Sequence, residues 1–243
     1  ALCLLPPTRW TRYARILQPF AAVAAGVSFG FPIGPVAGAL AAPWLLLTGL
    51  IALGGLLRLP GVLKEGVPSL LETAATLFIP VGGVHLVASR MGISIEGFPE
   101  PIIILTAVHF HYTAFAAPIL AARAKARVAG LGLVAGTPLL AAGFIAFPAL
   151  KPVAVGILVL GLWGIAWAQV RAIRTLKGRV AKVLLGISSA SIVAGMVLAA
   201  IYEHGHFTGR SWLSIPEMAW SHGLLNGVGF TLCGLLAWKN AET

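Results

Sequence analysis

Apolar residues in this chain neither alternate with polar ones nor follow a single helical stripe. They run on for about 20 residues at a time, from one end of the chain to the other. Runs of that length cross a hydrocarbon core about 30 Å thick as α-helices. They are rich in Leu, Ala, Gly and Val and lack period-two alternation, which excludes transmembrane strands. The pattern predicts spans at residues 16–30, 36–57, 67–89, 101–122, 128–149, 151–170, 180–202 and 214–238. The expected fold is all-α, a polytopic transmembrane helical bundle of about eight spans forming one integral membrane domain over residues 1–243. The first span is short, and the F-P-I-G-P loop after it leaves a re-entrant hairpin as the alternative. Pro80, Pro118 and Pro138 inside spans predict kinks, and the scattered small residues predict close helix approach.

Composition agrees with lipid as the solvent: 58% of residues are hydrophobic and 10% charged. The formal charge of +10 changes the picture only through its placement. With eight spans, 14 of the 17 Lys and Arg residues fall on one side, and only Arg90, Lys151 and Arg210 on the other. That asymmetry puts both termini in the cytoplasm. Basic loops of this kind are a topology signal, so nucleic acid is excluded as a partner and membrane lipid expected as one. The acids run the other way, with Glu96, Glu100, Glu203 and Glu217 in or beside outer loops. Trp10, Trp212, Trp220 and Trp238 near span ends are read as interfacial anchors. Cys3 and Cys233, near opposite ends of the chain, imply neither a disulfide framework nor a thiolate metal site. Arg9, Arg12 and Arg15 precede the first apolar run without an evident cleavage site, so residues from Ile16 onward are read as a retained helix. No internal repeat of the transporter kind is evident.

Polar groups inside a span are costly in lipid and mark candidate function. The third span holds Glu72 and His85. The fourth holds His109, His111 and Tyr112 in H-F-H-Y-T, and the eighth holds His222 and Asn226 in S-H-G-L-L-N-G. His109 and His222 each lie roughly 12 Å from the outer start of their spans, so the two could share a pocket. Tyr112 and Asn226 follow at helical spacing on the same faces. A two-residue step turns His111 about 200° away from His109. The competing reading is that these histidines bond a neighbouring backbone or hydroxyl and only hold helices together. Glu72 is the one acid well inside a span. Near the cytoplasmic end it pairs with Lys64 or Arg58, whereas nearer the midplane it is a proton donor or acceptor. The outer segment Y-E-H-G-H-F at 202–207 makes metal binding conceivable but lacks a recognised ligand spacing, and no metal site is assigned. His85, His109 and His222 could face a haem, without a second paired set to support it.

At H-F-H-Y-T-A-F-A-A-P (109–118) and S-H-G-L-L-N-G-V-G-F (221–230) the chain resembles the YndJ-like family of bacterial membrane proteins. That family is recognised by a histidine-tyrosine motif in one helix and a His-Gly-x-x-Asn motif in the last. This sequence matches at His109, His111, Tyr112, His222 and Asn226. The resemblance implies a multi-pass protein of the bacterial inner membrane and points to those residues, without supplying an activity.

The function expected from the residues is intramembrane acid–base isomerisation or cyclisation of a lipophilic substrate, an isoprenoid being one such molecule. Glu72, His109 and His222 are the candidate catalytic groups. His85, His111, Tyr112, Asn226, Phe110 and Phe115 are expected to line the substrate, the aromatic rings favouring cationic character. Such chemistry needs no cofactor. The alternative is a membrane transporter or binding protein for a small solute or proton, or a haem- or metal-binding membrane protein.

Overall fold

The computed structural model describes residues 1–95 and 97–241; Glu96, assigned above to an outer loop, lies outside the described residues. All regular elements among these residues are helical. Among the described residues, six helices are long and apolar enough to cross a membrane: Pro35–Leu56, Val67–Met91, Ile102–Arg123, Arg127–Ile145, Pro148–Ile173 and Arg179–Phe207. By contact the chain divides into two compact units, Ala1–Phe115 and Ala116–Thr243.

In the first unit, α1 (Arg9–Ser28) begins well before residue 16, because Thr8 caps it reciprocally with Thr11. Its early arginines make it less apolar than the six helices above. Arg15 turns back to donate to the carbonyls of Leu2 and Leu5 at 3.0 Å, tying down a short 3₁₀ turn at Leu2–Leu4. α2 (Pro35–Leu56) and α4 (Val67–Met91) start at Gly34 and Gly66 with proline in the first turn, where a missing N–H costs nothing. The short α3 (Leu59–Glu65) joins them. α4 stops at Gly92, whose left-handed φ of 74° closes the last turn. α2 lies along α4 without a Cβ between them at two places. A side chain on Gly83 would meet the Thr48 hydroxyl, and one on Gly55 would meet Thr76. In lipid, where apolar burial drives little association between helices, such close approach is what holds a pair together. Arg90, counted from sequence as an outer-loop charge, is buried: it donates to the carbonyls of Ser28 and Phe31 at 3.1 and 2.9 Å and lies over the Phe29 ring. A cation there offsets the negative end of α1.

The fourth expected span is one continuous helix in three parts: α5 (Ile102–His109), a π-helical segment π1 (Phe110–Ala116) and α6 (Ala117–Arg123). Pro118 gives a cause for the wide turn, since its ring would clash with the carbonyl four residues back and it has no N–H to return.

In the second unit, α7 (Arg127–Ile145) and α8 (Lys151–Ile173) form a hairpin, with Gly161 close enough that a Cβ would stand 3.1 Å from the Ala129 carbonyl. α9 (Arg179–Phe207) runs on past residue 202, where the expected span ends, so the Y-E-H-G-H-F segment is helical. The last expected span comprises α10 (Ile215–Leu224), a second π-helical segment π2 (Leu225–Leu232) and α11 (Cys233–Ala241). Ser214 and Glu217 form its capping box. Gln169, Ser188 and Ser189 are fully or nearly buried. Ser188 donates to the Phe230 carbonyl and Ser189 to that of Leu185, both at 2.8 Å, and each hydroxyl lies 3.2–3.3 Å from the Gln169 amide. This knot fastens α8, α9 and π2.

Candidate functional site

Two places carry both a histidine motif singled out from the sequence and a π-helical segment. π1 covers F-H-Y-T-A-F-A directly after His109, and π2 begins at the residue before Asn226. π-turns are rare and recur at functional sites, so their coincidence with these two motifs directs attention to them.

In the first unit three histidines share one local design. Nδ1 of His85 lies 2.8 Å from the Val81 carbonyl, that of His109 2.8 Å from Leu105, and that of His111 2.7 Å from Ala107. Each partner stands one turn back on the same helix. A carbonyl can only accept, so each Nδ1 carries a proton, and an Nε2 that accepts a bond is the lone pair of a neutral ring. For His111 that lone pair accepts from the indole Nε1–H of Trp44 on α2 at 2.7 Å. The two rings are tilted at 33° with centroids 5.6 Å apart. The His111 ring lies on Gly82, where a Cβ would come within 2.8 Å of it. His85 stacks on Phe110 at 6.5 Å and 7°, and its Nε2 has no hydrogen-bond partner among the described residues. His109 is exposed, Tyr112 half-buried and Phe115 buried. The two-residue step thus separates His109 from His111 as expected, and His111 is the ring engaged across helices inside this unit.

Glu72 is buried near the start of α4, with Oε2 3.9 Å from Nη1 of Arg58. Nη2 of Arg58 donates to Ser69 at 2.8 Å and to Glu65 at 3.1 Å. The Ser69 hydroxyl also donates to Glu65. The Ser69 hydroxyl and then the Arg58 guanidinium hold the exposed Glu65 below the ordinary carboxylate range. Glu72 therefore keeps company with Arg58, one of the two pairings considered from sequence. About 20 Å of helix separates it from His85.

In the second unit His222 and Asn226 are both buried. Nδ1 of His222 donates across to the Gly195 carbonyl on α9 at 2.8 Å, and Nε2 accepts from the Asn226 side-chain amide at 2.8 Å. The four-residue spacing seen in sequence is the geometry of that bond. Oδ1 of Asn226 lies over Gly195, where a Cβ would stand 2.6 Å from it.

Three participants escaped the sequence reading. Trp44 lies within an apolar run; the signal available was that a buried indole N–H needs an acceptor. Gly82 and Gly195 are among 29 glycines, and nothing in a single sequence distinguishes those that meet a ring or an amide. Among the described residues, no three His, Cys, Asp or Glu groups are placed to share a metal ion. Glu203 of the E-H-x-H segment pairs with Lys151 at 3.9 Å, and the His204 ring tilts onto Trp212.

A family model described as YndJ-like protein matches residues 1–230. An uncharacterized membrane protein YndJ from Bacillus subtilis (strain 168) is 30% identical over 212 residues, covering 83% of this chain and 38% of that relative. The chain thus spans well under half the length of the curated relative it matches. No solved structure matches it.

Proposed function

We propose, on the premise that this chain belongs to the YndJ-like family and is a multi-pass membrane protein, that it catalyses acid–base isomerisation or cyclisation of a lipophilic substrate. The observation that carries this reading is the shared fixing of Nδ1 on His85, His109 and His111 by backbone carbonyls. An imidazole held in one tautomer with Nε2 outward is prepared to take a proton. In this reading His85 and His109 exchange protons with substrate, while Trp44 and His111 hold π1 against α2. Phe110, stacked on His85, together with Tyr112 and Phe115, supplies aromatic faces for developing positive charge. Glu72 acts as a proton reservoir at the other end of α4 rather than as the acid in contact with substrate. His222, with both ring nitrogens engaged, and Asn226 organise the last helix against α9. An isoprenoid is the proposed substrate class. The accompanying topology is eight spans with both termini cytoplasmic, α1 and the helix over 215–241 joining the six, in the bacterial inner membrane; the side-biased Lys and Arg support it.

The test is mass spectrometry of lipophilic metabolites from cells expressing the wild type, His85→Ala, His109→Ala or Glu72→Gln at matched membrane abundance. A lipophilic species that changes with the wild type, and is lost by at least tenfold with His85→Ala or His109→Ala, is expected. Glu72→Gln should slow its appearance only a few-fold. Identical profiles for wild type and well-expressed variants would remove catalysis from consideration.

A further inference from the structure

A groove of about 350 Å³ lies between the start of α8 and the end of α9 in the second unit. Its walls are apolar, with Val155, Leu160, Ala200 and Phe207 among them, and Glu203 and His204 are the polar residues of its lining. The size and the few polar groups on an apolar wall are those of a small-ligand site. Gly156 also lines it, and a Cβ there would meet nothing within 4 Å, so the space over that residue is open rather than filled by a neighbour. The charges beside the groove are incompletely satisfied. Glu203 and Lys151 are each only 12% exposed at the side chain, yet they stand 3.9 Å apart, beyond hydrogen-bond reach. A carboxylate removed from water and not hydrogen-bonded by its counter-ion retains acceptor capacity for a second donor. Lys151 is meanwhile turned over the Phe144 ring at 4.7 Å.

We propose that this groove holds one hydrocarbon chain of an ammonium-headed amphiphile, with the ammonium on Glu203 and the chain along Gly156. An ammonium brings three N–H donors to the under-bonded carboxylate, and its chain matches the apolar walls. A head of net negative charge without an ammonium lacks the cationic donor, and its charge is repelled by the carboxylate. This proposal does not rest on the acid–base reading.

The test uses the full chain in nanodiscs with a phosphatidylethanolamine carrying a diazirine on one acyl chain, and the matching phosphatidylglycerol. Cross-linked peptides are mapped by mass spectrometry. The ethanolamine probe is expected to label residues 152–160 and 200–207 at least fivefold more than the glycerol probe does. Gly156→Trp should abolish that labelling, and Glu203→Gln should reduce the ethanolamine probe to the level of the other. If Gly156→Trp lowers the melting temperature, Gly156→Leu is read in its place. Equal labelling by the two probes, labelling that survives filling of the groove, or cross-links confined to other lipid-facing helices or to a second copy would overturn the proposal.

Discussion

His111 in the first unit and His222 in the second solve the same problem with opposite wiring. Each is a neutral ring whose Nδ1–H reaches a carbonyl and whose Nε2 accepts from a nitrogen donor. His111 spends Nδ1 on its own helix and receives its donor, Trp44, from another. His222 sends Nδ1 across to Gly195 on another helix and receives its donor, Asn226, from its own. The bond that crosses helices is made by an indole in one case and by a backbone carbonyl in the other. A side-chain donor can be deleted by substitution while the imidazole keeps its own-helix bond. A backbone carbonyl cannot be deleted, so the second station is sensitive to the ring and to the residue beneath it.

The comparison is tested most severely at the glycines. Gly195→Leu places a side chain where Asn226 Oδ1 now lies. It is expected to cost about 3 kcal/mol through overpacking and loss of the clasp, read as a lost or shifted unfolding transition in detergent. Gly82→Ala adds only a methyl, against the His111 ring and the Ala107 carbonyl, and should cost about 1–2 kcal/mol. A Gly82→Ala cost at or above that of Gly195→Leu would overturn this order. Next, His222→Ala removes a buried ring and its cross-helix bond, and about 2 kcal/mol is expected in the same measurement. Trp44→Phe keeps most of the packing and deletes only the N–H donated to His111, for about 1 kcal/mol. A Trp44→Phe cost exceeding that of His222→Ala would reverse the proposed order.

The smallest effect concerns the charged knot at the start of α4. Glu65 titrates below the ordinary carboxylate range because Ser69 and Arg58 favour its charged form. A depressed folded value stabilises the protein above the unfolded pKa, and that contribution disappears as pH falls through the folded value. Melting temperature should therefore drop on acidification below about pH 4.3. Glu65→Gln should flatten part of that drop by lowering the neutral-pH stability slightly, the effect staying small because the site is exposed.

Most of the helices could be read from the sequence because a run of apolar residues of membrane-spanning length has one stable backbone solution in lipid. The expected 67–89 and 36–57 spans fall within two residues of α4 and α2. The expectation that α9 ends near residue 202 came from the polarity of Y-E-H-G-H-F, yet helix continues there to Phe207. Polarity marks where lipid ends, whereas backbone hydrogen bonding continues the helix past that point. Arg90 shows the reverse error: its charge suggested a loop, and the carbonyls at the end of α1 draw it into the protein. The histidines were visible as costly residues in apolar runs, and the four-residue spacing of His222 and Asn226 foretold their contact. Their cross-helix partners were not visible, because Trp44 is distant in sequence and Gly195 contributes only its backbone.

By itself, then, the sequence determined that this chain is helical, that it belongs in a membrane and which few polar groups are worth explaining. Those properties follow from the transfer of side chains to lipid and from bonding within one helix, both local in the chain. Only the tertiary structure decided which ring nitrogen meets which partner, that Glu72 lies beside Arg58, and that both histidine motifs run into π-helical turns. Those depend on which helices lie side by side and how closely their glycines let them approach, a matter of packing between distant segments that no local pattern encodes.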